Sequence, residues 1–335
     1  MRAWMIPAGS DGYARLELHD VPEPVPGPGE VLVRVLACSL NYRDFSVAAG
    51  TYFGRAIEQR IVPLSDGAGQ IVATGPQVTR WREGDRVQCS TLVDWVEGLP
   101  RPSRSLGDGV TPGVLADYVV LPETGVVPMA QTLDYAEAAC LPVAGVTAWN
   151  ALYEGPRPLV PGMRVLVLGS GGVSMLALQL ARAGGCEVIA TSSSNEKLAR
   201  IRELGAAHIV NYKTQPEWGA FIAQHLGGVD KVIEVGGAGT AGQSMAALRT
   251  HGEVAVIGML EPEGGPSPRG LMLTAGLMRG IYCGSAEMAR RLNAAIDANA
   301  SKPLIGARFD MEQVRDAFDH AHGRNSFAKT VIELG

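Results

Sequence analysis

Between residues 164 and 258, short apolar segments alternate with longer segments in which apolar residues recur at helical spacing. VSMLALQLARAG and NEKLARIRELG are two of these helical segments. The apolar segments are RVLVLG (164–169), EVIATS (187–192), HIVNY (208–212), KVIEVGG (231–237) and EVAVIG (253–258). Parallel strands need long crossover connections, and helices supply them, so the alternation predicts a parallel sheet with helices on both faces.

The chain is different on either side of this region. Residues 1–122 alternate apolar and polar positions in short bursts, such as EVLVRVLA and LADYVVLP, with Pro and Gly between them, which predicts an antiparallel β domain. After EVAVIG, the segment EPEGGPSPRG (261–270) is predicted to be a loop, and MRGIYCGS (278–285) is a candidate sixth strand. Two helices and a closing strand, KTVIEL, are predicted beyond it.

Composition excludes several function classes. A net charge of −5 without a basic tract gives no reason to expect nucleic-acid binding. The longest uncharged run, 165–181, contains four consecutive Gly and Ser residues and is too short for a membrane span. The five cysteines are dispersed and odd in number, which is not a disulfide framework, and no apolar core of signal-peptide length opens the chain. We therefore predict a cytoplasmic protein with no membrane partner.

The stretch VLVLGSGGVS carries the clearest binding motif. Gly169 and Gly171, followed by the small Ser174, stand directly after a predicted strand and at the start of a predicted helix, with Gly172 and Val173 in its first turn. Glycines let backbone N–H groups approach a pyrophosphate, and the helix N-terminus favours its negative charge. The motif predicts a dinucleotide site. The alternative is a glycine turn that holds no ligand.

The end of the second strand indicates which dinucleotide is bound. An NAD site places a carboxylate about 20 residues after the first glycine. Here residues 191–194 read Thr-Ser-Ser-Ser, the first carboxylate is Glu196, and Lys197 follows. Hydroxyls such as that of Ser192 and an ammonium would donate hydrogen bonds to a 2′-phosphate, so NADP(H) is favoured. The serines could instead cap the next helix, and both interpretations can hold together.

Polar side chains are concentrated in ACSLNYRDFSVAAGTYFG (37–54), where a predicted strand runs into a predicted loop. Asn41, Tyr42 and Tyr52 are hydrogen-bond donors suited to a reacting oxygen. Arg43 and Asp44 are read as a structural ion pair. Each donor also has a purely structural interpretation: Asn41 could satisfy backbone groups at a turn, and a tyrosine could be a packed aromatic.

The segments DGAGQIVATG, WREGDRV, CLPVAGVTAW, GSGGVS and IVNY resemble motifs of the medium-chain dehydrogenase/reductase superfamily. The resemblance implies an α/β chain with a GroES-like β-rich catalytic domain, residues 1–122 and 285–335, and a Rossmann doubly wound parallel-sheet domain, residues 123–284. It also implies a homodimer that pairs the strand near 278–285.

Zinc members of the superfamily hold a catalytic metal at positions that match Asn41, Ser65, Asp66 and Val143. Zinc binds thiolate, imidazole and carboxylate, so this set predicts no catalytic zinc. Of the four close cysteines of the structural zinc site, only Cys89 lies near the matching region. We predict no metal at either position.

Without zinc, the resemblance narrows to quinone oxidoreductases and enoyl reductases, whose loop is similar to SLNYRDFSVAAGTYFG. A quinone or α,β-unsaturated carbonyl spreads the charge of an incoming hydride, so a few hydrogen-bond donors can replace a Lewis acid. We predict a zinc-independent, NADPH-dependent oxidoreductase acting on such a substrate. The alternatives are an NADP-dependent alcohol/ketone dehydrogenase with Tyr42 or Tyr52 as the acid, and a non-catalytic NADPH-binding protein.

The resemblance adds further cofactor contacts. Thr147 matches a threonine that faces the nicotinamide, and Gly258 is expected beside the nicotinamide ribose. Tyr212 and Arg324 match residues near the 2′-phosphate.

Overall fold

The structure is a computed structural model that describes residues 1–258, 265, 267 and 269–335. The chain divides into two compact units, Met1–Val146 with Cys283–Gly335, and Thr147–Tyr282. The predicted boundaries lie at 122 and 285 instead. Residues after 122 stay with the first unit because the strand Val126–Pro128 pairs with Arg86–Cys89 and the following helix packs on the same sheet.

The first unit is rich in strands, and its helices are short apart from one near the C-terminus. Its strands are β1 (Arg2–Met5), β2 (Glu17–Asp20), β3 (Glu30–Ser39), β4 (Asp66–Thr74), β5 (Arg86–Cys89), β6 (Tyr118–Pro122), β7 (Val126–Pro128), β14 (Ile305–Asp310) and β15 (Lys329–Glu333). Its helices are α1 (Tyr42–Ala48), α2 (Tyr135–Ala139), α9 (Ala286–Asn299) and α10 (Val314–His322), with 3-10 turns at Tyr13–Arg15, Tyr52–Gly54, Glu123–Gly125 and Met311–Gln313 and a π turn at Leu141–Gly145.

The main sheet of this unit has the order β14-β15-β3-β4-β5-β7, and β6 also pairs with β3. The C-terminal strand β15 thus lies beside β3, on the opposite side from β4. The register places Ser39 opposite Val331 of β15 and opposite Asp66 of β4. Residues of β15, β3 and β4, which are distant in sequence, are therefore neighbours across the sheet at Ser39.

Apolar residues of the alternating strands form the core of the first unit. Val33, Val35 and Ile71 are buried between the strands and the C-terminal helix, which contributes Phe318. Successive residues of a strand point to opposite faces, so the alternation seen in the sequence produces this one-sided apolar face.

The second unit contains the strand–helix alternation. Its strands are β8 (Arg164–Leu168), β9 (Glu187–Ser192), β10 (His208–Asn211), β11 (Val229–Glu234), β12 (Leu248–Val256) and β13 (Leu277–Gly280). Its helices are α3 (Val146–Tyr153, which begins at the boundary), α4 (Gly172–Ala183), α5 (Asn195–Glu203), α6 (Trp218–Leu226), α7 (Ala238–Ala246) and α8 (Arg269–Thr274).

The sheet of the second unit is parallel, with strand order β10-β9-β8-β11-β12-β13. From β8 the chain proceeds outward to β10 and then returns to β11, so the order reverses between β8 and β11. Ligands of doubly wound sheets bind outside the carboxyl ends of the strands at such a reversal. The predicted fold class, including a sixth strand, is confirmed.

Two sequence assignments differ in detail. The sixth strand ends at Gly280, earlier than predicted, since the chain then leaves the sheet toward the first unit's segment that begins at Cys283. Of the loop predicted at 261–270, residues 261–264, 266 and 268 lie outside the described residues, and α8 begins at Arg269. None of the described helices has the length and apolar character that a membrane crossing requires.

Candidate active site

The stretch predicted to be a loop after β3 is a helix N-terminus. Asn41 has extended backbone angles (φ −128°, ψ 162°) and is the N-cap of α1, which covers Tyr42–Ala48. Its backbone N–H donates to Asp44 Oδ2 at 2.7 Å. An N-cap Asn with an acidic residue three positions later is a typical helix start. The prediction of a loop is wrong here, because Asn41 and Asp44 together start a helix.

Asp44 is buried, and its surroundings favour the neutral form. Burial raises the pKa of Asp44 to about 7, although the Arg43 charge and the Asn41 N–H bond both act to lower it. Arg43 does not form the predicted contact pair with Asp44. Its guanidinium lies over the ring of Tyr52, 4.9 Å from the ring centroid. Arg43 therefore acts on Asp44 through its charge, and its contact partner is Tyr52.

Lys329, at the start of β15, lies at the centre of a buried polar network. Its Nζ donates to Leu40 O at 2.7 Å, to Asn41 Oδ1 at 2.7 Å and to Asp66 Oδ2 at 3.1 Å. Both charged side chains are almost completely excluded from solvent, at 2% exposure for Lys329 and 0% for Asp66. An ammonium has three donors, and each has an acceptor here.

Asp66 is held from two further directions. Ser39 Oγ donates to Asp66 Oδ2 at 3.0 Å, and the backbone N–H of Val143 donates to Asp66 Oδ1 at 2.9 Å. The positions that match zinc ligands thus do meet, but Val143 contributes only its backbone. Ser65 Oγ is buried and has no hydrogen-bond partner within the part of the chain that the structure describes.

This donor set does not fit zinc. The site offers one carboxylate and one amide oxygen, and the Lys329 ammonium already binds both. Zinc sites use thiolate, imidazole and carboxylate ligands. Across residues 1–258, 265, 267 and 269–335, no group of three or more His, Cys, Asp and Glu side chains could hold a metal ion. That the protein binds no zinc stays a prediction, and the chemistry of these side chains supports it.

The three predicted catalytic residues have different surroundings. The side chain of Asn41 uses its oxygen to bind Lys329, and its Nδ2 is buried without a hydrogen-bond partner among the described residues. Tyr42 is 62% exposed. Tyr52 packs against the core of the first unit beneath Arg43. Asn41 is therefore the residue that the network holds in a fixed position with an available donor.

The glycine-rich turn of the second unit has the geometry of a dinucleotide site. Gly169 has φ 71°, a conformation that glycine adopts without strain, and Gly171 is the N-cap of α4. Gly172 and Val173 begin the helix. Ser174 Oγ donates to Leu168 O at 2.6 Å and so fastens the helix to the strand end.

Gly171 is a glycine that the folded chain itself does not require. Its φ of −77° and ψ of 177° suit any residue, and a Cβ added there would meet no atom within 4 Å. Neither backbone conformation nor internal packing therefore requires glycine at this position. Close approach of a pyrophosphate to the backbone does require it, so the turn fits a dinucleotide.

Three of the residues predicted to contact the 2′-phosphate belong to the second unit: Ser192 ends β9, Lys197 lies in the first turn of α5, and Tyr212 follows β10. Ser194 Oγ accepts from the Lys197 N–H at 3.3 Å, so Ser194 caps α5, and Ser192 Oγ accepts from the Ser194 N–H at 3.3 Å just before the helix. Partial burial, and then the Arg200 charge, lowers the pKa of Lys197. The backbone N–H of Tyr212 donates to Ser192 O at 3.2 Å, and the Tyr212 side chain is exposed.

The other predicted cofactor residues are distributed over both units. Thr147 is buried at the start of α3. Gly258 follows β12, and a Cβ there would lie 1.6 Å from Val235 O, so packing alone requires this glycine. Arg324 belongs to the first unit and is exposed between α10 and β15.

Lys329 is the residue that the sequence interpretation missed. It opens the strand KTVIEL, whose other residues up to Ile332 are buried. A lysine in a strand that is otherwise buried must have polar partners, because an unpaired buried charge is strongly unfavourable. That signal was present in the sequence, but the partner residues Asn41 and Asp66 lie 288 and 263 positions away.

A strand-rich unit with a buried polar network and a parallel-sheet unit with a dinucleotide turn together define a dinucleotide-dependent oxidoreductase. A family model described as "Alcohol dehydrogenase GroES-like domain" matches residues 27–131, and one described as "Zinc-binding dehydrogenase" matches residues 172–298. The chain belongs to the medium-chain dehydrogenase/reductase superfamily, as the resemblance implied.

Individual relatives extend over the whole chain. A zinc-type alcohol dehydrogenase-like protein of Schizosaccharomyces pombe is 38% identical over 329 residues, 95% of this chain and 94% of the relative. The quinone oxidoreductase of Mus musculus is 29% identical over 327 residues, 94% of this chain and 92% of the relative. The solved structure of crotonyl-CoA carboxylase/reductase AntE V350A in complex with NADP has a TM-score of 0.89 at 25% identity and covers 100% of this chain and 95% of its own.

We predict that Gly171→Val folds normally and loses dinucleotide binding. A Cβ added at Gly171 meets no atom within 4 Å in the folded chain, and the valine side chain would enter the volume that we predict a pyrophosphate to occupy. Affinity should fall by about tenfold or more, equivalent to about 1.4 kcal/mol. Fluorescence titration with NADPH and NADH would measure binding, and thermal unfolding would measure stability.

Gly258→Ala is the matched control, because its Cβ would collide with Val235 O. It should lower the melting temperature, whereas Gly171→Val should not. Undiminished binding of both dinucleotides by Gly171→Val would contradict a pyrophosphate position at this turn.

Proposed function

We propose that the protein is a zinc-independent, NADPH-dependent reductase that transfers hydride to a quinone or to the activated C=C bond of an α,β-unsaturated carbonyl. The proposal rests on the hydrogen bonding of the Asn41 side-chain amide. Its amide oxygen is bound by a buried ammonium, and its buried NH₂ group has no partner among the described residues. A fixed and unused donor is what a developing oxyanion requires.

The proposed substrate class follows from the strength of this donor. Reduction of a simple ketone produces a localised alkoxide, which a metal stabilises by several kcal/mol. Reduction of a quinone or enone produces an enolate-type oxygen, whose charge is spread over a conjugated system. One or two neutral donors, each contributing about 3 kcal/mol, are sufficient for such an oxygen. NADPH, when bound, supplies the hydride, Asn41 orients and stabilises the oxygen of the acceptor, and the resulting anion takes its proton from solvent.

The comparisons support this choice of class. The mouse relative is named quinone oxidoreductase, and AntE is a crotonyl-CoA carboxylase/reductase described in complex with NADP. Their activities are those of the relatives, and we extend only the reaction class to this chain.

Two alternative functions can be distinguished from the proposed one by activity assays. The Schizosaccharomyces pombe relative is named alcohol dehydrogenase-like. An alcohol/ketone dehydrogenase would use Tyr42 or Tyr52 as the acid and would oxidise a secondary alcohol. A non-catalytic NADPH-binding protein would bind the cofactor and turn over no substrate. Parallel assays with a quinone, an alkenal and a secondary alcohol separate the three.

We also propose that NADPH is preferred over NADH. At the carboxyl end of β9, hydroxyl groups and Lys197 stand where an NAD site has a carboxylate. We assign Ser192, Lys197, Tyr212 and Arg324 to the 2′-phosphate, and Thr147 and Gly258 to the nicotinamide end. We further propose a cytoplasmic location, which rests on the dispersed cysteines.

We predict that Asn41→Ala lowers the kcat for a quinone or enone by about one to two orders of magnitude. This loss is somewhat smaller than the loss in kcat that follows removal of one oxyanion-hole donor from a hydrolase. Asn41→Asp is the sharper variant, because it keeps the shape and the acceptor for Lys329 but removes the NH₂ donor. It should lose at least as much activity as Asn41→Ala. Steady-state turnover at saturating NADPH is the measurement.

NADPH affinity should change little in both Asn41 variants, since the turn at Gly171 contacts the pyrophosphate in our proposal. Wild-type turnover in either variant would mean that Asn41 only shapes the pocket. A wild-type protein that reduces none of the quinones and enones would overturn the proposed reaction itself.

We predict that Lys197→Ala weakens NADPH binding by about tenfold and changes NADH binding by less than about twofold. The lost partner is the 2′-phosphate, and a hydrogen bond to a charged group contributes about 1.5–3 kcal/mol. Arg202→Ala, at an exposed position on the same helix, is the control. Equal losses for the two dinucleotides would show that Lys197 acts on the structure of α5 instead.

We predict a homodimer that pairs β13 of two chains. β13 is an edge strand of its sheet, and Met278 and Tyr282 are 37% and 49% exposed. Unpaired edges of this kind readily add a further strand. Light scattering at micromolar concentration should give twice the chain mass, and Met278→Lys should shift it toward the monomer. Val160→Lys, a control at another exposed apolar residue, should leave the mass unchanged. A monomeric wild-type protein would disprove the interface.

A further inference from the structure

The three donors of the Lys329 ammonium are all in use. They bind Leu40 O, Asn41 Oδ1 and Asp66 Oδ2 at 2.7, 2.7 and 3.1 Å. A proton given to a substrate would have to come from one of these bonds, and it would leave Asp66 as a buried charge without its cation. Lys329 is therefore unsuited to be a proton donor, and its effect must pass through the groups that it binds.

Asn41 is the member of this set that can change orientation. Rotation of its amide by half a turn would exchange Oδ1 and Nδ2. The ammonium can donate to the oxygen but would repel the NH₂ group, which is itself a donor. Lys329 thus selects the orientation in which Nδ2 points away from the ion pair. In that orientation Nδ2 is buried and has no partner in the described part of the chain.

Asp66 keeps Lys329 in place. Its two oxygens accept from Ser39 Oγ, from the Val143 N–H and from Lys329. Ser39 Oγ also lies 2.8 Å from Ala139 O, which links the carboxylate to helix α2. The positive charge is therefore fixed by three different segments of the first unit and is nearly balanced by Asp66. Asp66 offsets the charge of Lys329 at longer range, so the main effect of Lys329 is on the amide that it contacts directly, at 2.7 Å.

We propose that Lys329 is a positioning residue: it locks the amide of Asn41 so that the NH₂ group is presented to the acceptor oxygen of the substrate. This inference rests on the proposed function for the identity of that oxygen. In the opposite orientation the amide would present its own oxygen, which would repel a developing enolate instead of stabilising it. Lys329 thereby turns a residue that tolerates two orientations into a dedicated donor.

A double-mutant cycle tests this dependence. Lys329→Met should lower kcat for a quinone or enone about tenfold, with little change in the affinity for NADPH. The same substitution in an Asn41→Ala background should change kcat by less than about twofold, because the residue on which Lys329 acts is already absent. Independent, multiplicative losses would overturn the proposal. Lys302→Met is the control, since Lys302 pairs with Glu137 near the surface of the same unit.

Lys329→Met leaves Asp66 buried without its cation, so the variant could lose stability. Lys329→Met combined with Asp66→Asn removes both charges and keeps an acceptor for the Val143 N–H. The combined variant should fold and should show the same tenfold loss in kcat. A folded combined variant with wild-type kcat would overturn the proposal.

A spectroscopic readout separates this inference from the proposed reaction. The side-chain NH₂ signals of Asn41 can be assigned in a ¹⁵N TROSY spectrum by their absence from Asn41→Ala. They should shift or broaden in Lys329→Met and in the combined variant, and remain unchanged in Lys302→Met. Unchanged signals in the first two would disprove the orientation lock. If the wild type reduces none of the acceptors, the proposed function fails, and these spectra still decide whether Lys329 orients Asn41.

Discussion

The buried ion pair between Lys329 and Asp66 connects the strands on which the first unit is built. Lys329 opens the C-terminal strand β15, Asp66 opens β4, and the backbone oxygen of Leu40 at the end of β3 lies between them. Removing two such charges from water is unfavourable by several kcal/mol per ion, and only good geometry with additional hydrogen bonds offsets it. Here every donor of the ammonium and both carboxylate oxygens are engaged. The pair is thus better explained by the orientation it imposes than by a gain in stability.

The second unit uses buried charge in a similar way. Lys231 lies 3.3 Å from Glu253, and Arg279 donates to Glu253 at 2.8 Å. Lys231 and Arg279 also donate to carbonyls at the C-terminal end of α3, among them Ala151 O, where cations are favourable for a helix. Burial lowers the pKa of Lys231 to about 8. The three strands β11, β12 and β13 are thereby fastened to one helix, and that helix carries Thr147 in its first turn.

Much of the fold could be predicted from the sequence, because the strands and helices of the second unit each carry a local period. β9 has the predicted bounds, 187–192, and the dinucleotide turn begins directly after β8. Helix α1 was missed because its signal is a single capping pair, Asn41 with Asp44, in a segment only seven residues long. The role of Lys329 could not be predicted in detail, since its partners lie on strands whose pairing no local pattern specifies. Long-range register, and not residue type, completes the candidate site.

In our proposal no metal contacts the reacting oxygen, and this limits the chemistry. A zinc ion carries two positive charges and contacts the reacting oxygen directly. Lys329 carries one, is paired with Asp66, and in our proposal acts on that oxygen only through the Asn41 amide. A neutral donor of this kind stabilises charge by about 3 kcal/mol, which falls short of what a localised alkoxide needs. In our proposal the network therefore suits acceptors that disperse the charge themselves, and a quinone or a conjugated carbonyl does this through its own bonds.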